Sequence, residues 1–131
     1  MKKVGRAVTL LAGAAGILLM PACGSSGNPA GPPPPPMEGT TVTITSAGVS
    51  PKNLLVSPGT QVTFVNNDTR DHEIDSDQHP EHMDCPAINN VDLIVPGQSK
   101  QTGNLNVVRS CGYHDHLRFE NASLRGTITI Q

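Results

Sequence analysis

The stretch NLLVSPGTQVTFVN, residues 53–66, sets two short apolar segments on either side of Ser57-Pro58-Gly59. Proline followed by glycine suits a type II turn, because the ring presets the first φ and glycine accepts the positive φ that comes next. Asn53–Val56 and residues 61–66 therefore read as two strands joined at a sharp corner. The same signal returns at Val95-Pro96-Gly97, between candidate strands 92–95 and 100–105. Upstream, Thr41–Thr45 alternates, with Val42 and Ile44 on one face; downstream, residues 107–113 and 126–130 are again short and rich in β-branched residues. No stretch from Thr40 onward is long and amphipathic enough to argue a helix. About seven to eight strands with turn signals between them imply an all-β sandwich of Greek-key type. Its core is aliphatic, since the chain has no tryptophan and its aromatic residues are Phe64, Tyr113 and Phe119. A core that thin gains from a cross-link or a bound metal.

The N-terminal part has a different texture. Lys2, Lys3 and Arg6 precede an apolar run over residues 7–20, the pattern of a secretory signal and too short to span a bilayer comfortably. The run ends in Leu19-Met20-Pro21-Ala22-Cys23-Gly24, which resembles a bacterial lipobox with Met20 in the usual leucine position. That resemblance implies a lipid on Cys23 and a signal segment over residues 1–23. Cleavage near Ala22 with Cys23 left as a free thiol is the other outcome. Residues 24–39 are rich in Pro and Gly, and the prolines of GSSGNPAGPPPPP (24–36) make an extended spacer. The folded domain is expected over residues 40–131. The expected location is the bacterial periplasm or cell envelope, with the membrane reached only through the N-terminal lipid.

Removing Lys2, Lys3 and Arg6 from the nine basic residues leaves six against eleven acidic ones, a net charge of about −5. A nucleic-acid partner is excluded on that balance. Seven of the acids, Asp68, Asp71, Glu73, Asp75, Asp77, Glu81 and Asp84, share one segment with only Arg70 among them. Enzymatic readings find no support: Ser110, Cys111 and His114 match no nucleophile motif, and there is no glycine-rich phosphate loop.

The chemistry concentrates in the histidines. His72, His79 and His82 lie in the acidic segment, and His114 and His116 lie near the C-terminus. Imidazole is the commonest transition-metal ligand, and loops from two distant segments meeting at one end of a sandwich are an ordinary way to assemble such a site.

Val62-Thr63-Phe64-Val65-Asn66-Asn67-Asp68 with His72-Glu73-Ile74 resembles the strand and loop that deliver the first histidine ligand in the plastocyanin-like cupredoxins. Tyr113-His114-Asp115-His116-Leu117, followed by Leu124 to Ile130, resembles that family's ligand loop and last strand. The segment from His72 to His82 is similar to the histidine-rich loop of small bacterial cupredoxins that also carry Tyr-His-Asp-His. The resemblance covers the domain and implies the cupredoxin fold and one copper ion, with zinc the less favoured metal. It further implies a role in electron transfer or copper handling, and a redox or copper-delivery partner.

Two registers of the resemblance stay open. Cys111-Gly112-Tyr113-His114 reproduces a Cys-x-x-His, making Cys111 a thiolate ligand beside His72 and His114. Anchored instead on Gly126-Thr127-Ile128, the thiolate position falls on Asp115, and in both registers Leu124 replaces the usual axial methionine. The second register frees Cys111 to pair with Cys85, and an exported domain with two cysteines favours such a bridge. The metal set is then nitrogen-rich: His72, His114 and His116, with Asp115 or one of the additional candidates His79 and His82. The competing interpretation is a partner-binding or structural lipoprotein with a degenerate site and a Cys85–Cys111 disulfide.

Overall fold

The computed structural model describes residues 31–131; the expected signal segment, Cys23 and the start of the expected spacer lie outside the described residues. The domain is an all-β sandwich. Its ten strands are β1 Met37–Glu38, β2 Thr41–Thr45, β3 Gly48–Ser50, β4 Asn53–Val56, β5 Thr63–Asn66, β6 His72–Ser76, β7 Asp92–Ile94, β8 Ser99–Gln101, β9 Arg109–Asp115 and β10 Arg125–Ile130. One sheet runs β1-β4-β10-β9-β6-β7 and the other β3-β2-β5-β8. The non-consecutive neighbours are the crossovers of a Greek key. Both Pro-Gly corners turn as expected: Thr60 donates its N–H to the Ser57 carbonyl at 3.2 Å and Gln98 to Val95 at 3.0 Å, with Gly59 and Gly97 at φ 87° and 78°.

Alternation places the core. Val42 and Ile44 of β2 and Phe64 of β5 face Leu54 and Val56 of β4, Ile74 of β6, Cys111 and Tyr113 of β9 and Ile128 and Ile130 of β10, all buried. Phe64 meets Tyr113 edge to face, with ring centroids 5.1 Å apart. Tyr113 lies across Gly126, its partner in the β9–β10 register, where a Cβ would run into the phenol oxygen. Phe119, the third aromatic, is outside this core and partly exposed.

Three strands depart from what the sequence suggests. Met37–Glu38, in the expected spacer, pairs parallel with Leu54 and Leu55 at the sheet edge. Gly48–Ser50 closes a hairpin onto β2. The third, β6, matters most: residues 72–76 read as an acidic loop, yet they pair antiparallel with both β7 and β9. Its inward positions are His72, Ile74 and Ser76, so only one of three is apolar, and period-two hydrophobicity does not reveal it.

The Cys85–Cys111 bond is formed, with Cα atoms 5.9 Å apart. It joins β9 to the long connection between β6 and β7. A closed loop with a sequence separation of 26 predicts roughly 3.5 kcal/mol of stabilisation from loop-closure entropy. A Cys85→Ala/Cys111→Ala variant is therefore expected to unfold at lower urea concentration by about that free energy, with the denaturant slope increased by its more expanded unfolded state.

Candidate metal centre

Strand β9 has two chemical faces. Cys111, Tyr113 and Asp115 point into the sandwich, while Gly112 and His114 belong to the outer face, and His116 follows directly after the strand. The register with β6 sets Ile74 against Asp115 and Asp75 against His114, so Asp75 and His114 share that outer face. His72, two residues before Ile74, points inward with it.

The connection after β6 folds back over the outer face. Asp77 donates its N–H to the Gly112 carbonyl at 3.0 Å, and its carboxylate occupies the space a Cβ on residue 112 would need. Residues 78–83 then make a closed excursion, since Asp84 returns its N–H to the Asp77 carbonyl at 2.8 Å. Inside it, the His82 carbonyl accepts from Ser76 Oγ and from Asn89 Nδ2, both at 2.9 Å, and His82 sits at φ 52°. Asn89 also accepts the Ser76 N–H at 2.8 Å, which ties the excursion to the end of β6.

This brings His79, His82, His114 and His116 together, each offering one nitrogen, with those atoms within 4.8 Å of one another. His82 Nε2 stands 3.4 Å from His79 Nδ1 and 3.2 Å from His116 Nδ1. Carboxylates orient the rings from behind: Asp77 Oδ1 is 2.7 Å from His114 Nδ1, and Asp75 Oδ2 is 3.3 Å from His82 Nδ1 and 3.7 Å from His116 Nδ1. At His114 the hydrogen-bonded carboxylate holds the proton on Nδ1 and leaves Nε2 with a free lone pair, the arrangement that metal-binding histidines use, while Asp75 stands at ion-pair distance from the rings of His82 and His116. His114 Nε2 is buried and has no hydrogen-bond partner among the described residues. An orphaned buried nitrogen costs free energy that a metal would recover. The ring of His79 lies parallel to Phe119, with centroids 4.1 Å apart and planes 4° apart. Its burial, and then the neighbouring His116, His114 and His82, lower its pKa, which favours the neutral form that coordinates.

The placements differ from the expected ligand candidates at three residues. His72 does not join the cluster: its Nδ1 is 2.9 Å from Asp115 Oδ2 and its Nε2 is 3.1 Å from Asp68 Oδ2, so neither nitrogen faces open space. Asp115 likewise faces inward, accepting from the N–H groups of Glu73 and Leu117 and from Arg118. Cys111 is not available as a thiolate, being bonded to Cys85 on the core side of β9. His114 and His116 are brought together, and the additional candidates His79 and His82 stand beside them. Asp75, Asp77 and Phe119 escaped sequence reasoning as site residues. The signal that could have revealed the two carboxylates was the alternation of HEIDSD, which sets residues 75 and 77 opposite 72, 74 and 76.

No family model and no curated protein matches the sequence. Solved structures do. A purple cupredoxin from Nitrosopumilus maritimus aligns with TM-score 0.53 at 18% identity, covering 71% of this chain and all of that one. An amicyanin point mutant in its reduced state aligns with TM-score 0.54 at 15% identity, covering 70% of this chain and 80% of that one. A second amicyanin mutant, in its copper(I) form, gives TM-score 0.55 at the same identity and coverage. The domain therefore has the cupredoxin fold. Four imidazole nitrogens suit copper(II) or zinc, whereas the thiolate that a blue copper centre requires is absent from this face.

Two outcomes test the geometry. If the four histidines hold a metal, Asp77→Asn is expected to weaken uptake of Cu(II) or Zn(II) roughly 10- to 100-fold by titration calorimetry, with folding intact, as losses of outer carboxylates do. Asp68 concerns the inner face: its hydrogen bond from Arg70, at 2.7 Å, holds its carboxyl at about 2 against the ordinary 3.8. A depressed carboxyl contributes stability that is present above pH 3.8 and is lost as pH falls towards about 2. Asp68→Asn should accordingly lower the urea midpoint at neutral pH, and the gap to the wild type should close in that acid window.

Proposed function

We propose that this domain binds one copper ion through His79, His82, His114 and His116 and serves to capture or hand on copper in the bacterial cell envelope, held to a membrane by a lipid on Cys23. The observation that carries the reading is the buried, unpartnered Nε2 of His114, whose ring Asp77 holds through Nδ1 within a group of four imidazoles that each bring one nitrogen within 4.8 Å of the others. The cupredoxin fold and the copper(I) amicyanin among its structural neighbours favour copper over zinc. When bound, copper would supply a soft, redox-capable cation able to change ligands.

The residues divide the work. His114 and His82 are oriented by Asp77 and Asp75, so their rings are aimed before a metal arrives. Clamping of the His82 carbonyl by Ser76 and Asn89 keeps the excursion from opening. The carboxylates of Asp75, Asp77, Glu81 and Asp84 raise the local cation concentration. With Cys111 in a disulfide, the donor set lacks the covalent thiolate of fast blue-copper electron transfer, so copper handling is the better fit of the two roles.

Loading the protein with Cu(II) tests this directly. One equivalent should bind, with nitrogen superhyperfine structure in the paramagnetic resonance spectrum and no intense band in the red, and His114→Ala should abolish uptake. An intense thiolate band would overturn the nitrogen-rich site. No metal in protein expressed in the periplasm would favour a stapled, partner-binding sandwich.

A further inference from the structure

The four histidines are not held alike. His114 is buried, with Nδ1 on Asp77 at 2.7 Å. His82 has Asp75 behind its ring and two donors on its carbonyl. His116 follows directly on β9 and leads into a short 3₁₀ turn, His116–Arg118, started by the Asp115 carboxylate accepting the Leu117 N–H, so its backbone is set by the sheet. His79 stands apart. It lies in the 78–83 excursion; among the described residues no hydrogen bond reaches its backbone and no carboxylate lies within ion-pair distance of it, and its ring rests on the face of Phe119. Phe119 is itself 38% exposed, and both Arg125 Nε and Nη2 donate to its carbonyl, which keeps the ring on a firm backbone at the solvent edge.

We propose that His79 is the exchangeable ligand of this centre and that Phe119 is the positioning residue that sets how readily it leaves. The proposal rests on the reading that the four histidines hold copper. The other three imidazoles are fixed from the sheet side, so exchange occurs from the side of His79 and Phe119: the His79 nitrogen–copper bond breaks as an incoming nitrogen or sulfur lone pair from an acceptor forms a new one. No electron changes hands, and the freed imidazole leaves as a neutral ring with its lone pair restored, so no proton is needed to balance the exchange. An aromatic stack is suited to this task because it is weak beside a coordinate bond, and a ring can slide off it without leaving a buried charge or an unpaired hydrogen-bonding group behind.

The test uses the full-length protein in detergent with Cu(II) as probe and free imidazole as the substitute ligand. His79→Ala should still take up one equivalent of copper, with fewer nitrogen couplings in its resonance spectrum, and added imidazole should restore the wild-type spectrum by entering from the open side. His114→Ala should not be rescued. Phe119→Ala should speed copper loss to an external chelator about threefold to tenfold, the scale of one lost aromatic pair, while Phe119→Tyr keeps the wild-type rate. Equal loss of copper from His79→Ala and His114→Ala, an imidazole addition that changes nothing, or an unchanged release rate in Phe119→Ala would each overturn the assignment of His79, even with copper bound normally by the wild type. A wild-type protein that takes up no copper would instead remove the reading beneath it, and this proposal with it.

Discussion

Everything distinctive about this domain depends on the strict two-residue alternation of β9. One face of that strand supplies Cys111, Tyr113 and Asp115 to the interior, and the other supplies Gly112 and His114 to the outside, with His116 directly after it at the start of a 3₁₀ turn. A register slip of a single residue would bury two imidazoles against the aliphatic core and expose the disulfide, the aromatic pair and the carboxylate hub together. Three independent features oppose such a slip. Tyr113 must cross a residue without a Cβ, the disulfide must reach Cys85, and Asp115 must meet the donors of β6.

On the interior side, Asp115 organises the polar end of the sandwich. It is fully buried and receives two backbone N–H groups, the imidazole of His72 and the guanidinium of Arg118, which together replace the hydration lost on burial. Asp68 faces His72 from the other side and takes Arg70 as well. The pair of carboxylates flanking one imidazole makes this a structural network, linking β6, β9 and the loop before β6. Histidine, aspartate and arginine here do what apolar side chains do in the rest of the core, and at this end they specify the pairing of β6.

That substitution explains what the sequence reveals and what it conceals. The sandwich, the two Pro-Gly corners and most of the strands were legible because their apolar residues recur at period two between turn residues. Strand β6 was hidden because His72 and Ser76 occupy inward positions and are satisfied by partners 43 and six residues away in the chain, His72 by Asp115 and Ser76 by the His82 carbonyl. The same concealment shifts the expected ligand set. His72 has the sequence context of a cupredoxin ligand, yet its place on the inward face follows only from the β6–β9 register, which no local pattern encodes. His79 and His82 stand in the sequence only as additional candidates, since their value depends on a fold-back secured by Asn89 and by a disulfide three residues beyond His82. Phe119 had no signal at all: its role appears only once the excursion lays His79 against it.

The disulfide connects the interior of the sandwich to the outer face. Cys85 ends the segment that carries His79 and His82, and Cys111 lies on the strand that carries His114 and leads into His116, so one covalent bond joins the two halves of the histidine cluster. Four imidazoles packed this closely repel one another when protonated and leave a buried nitrogen unpaired, a combination that would loosen a loop held by hydrogen bonds alone. Loop-closure entropy removed from the unfolded chain offsets that cost independently of any ligand. The ordering of the excursion is thus met largely by covalent constraint, and little of a metal's binding free energy is consumed in organising its own site. A centre prepared in this way is suited to letting go of a ligand as well as to holding one, because the three imidazoles tied to the sheet do not depend on the fourth for their positions.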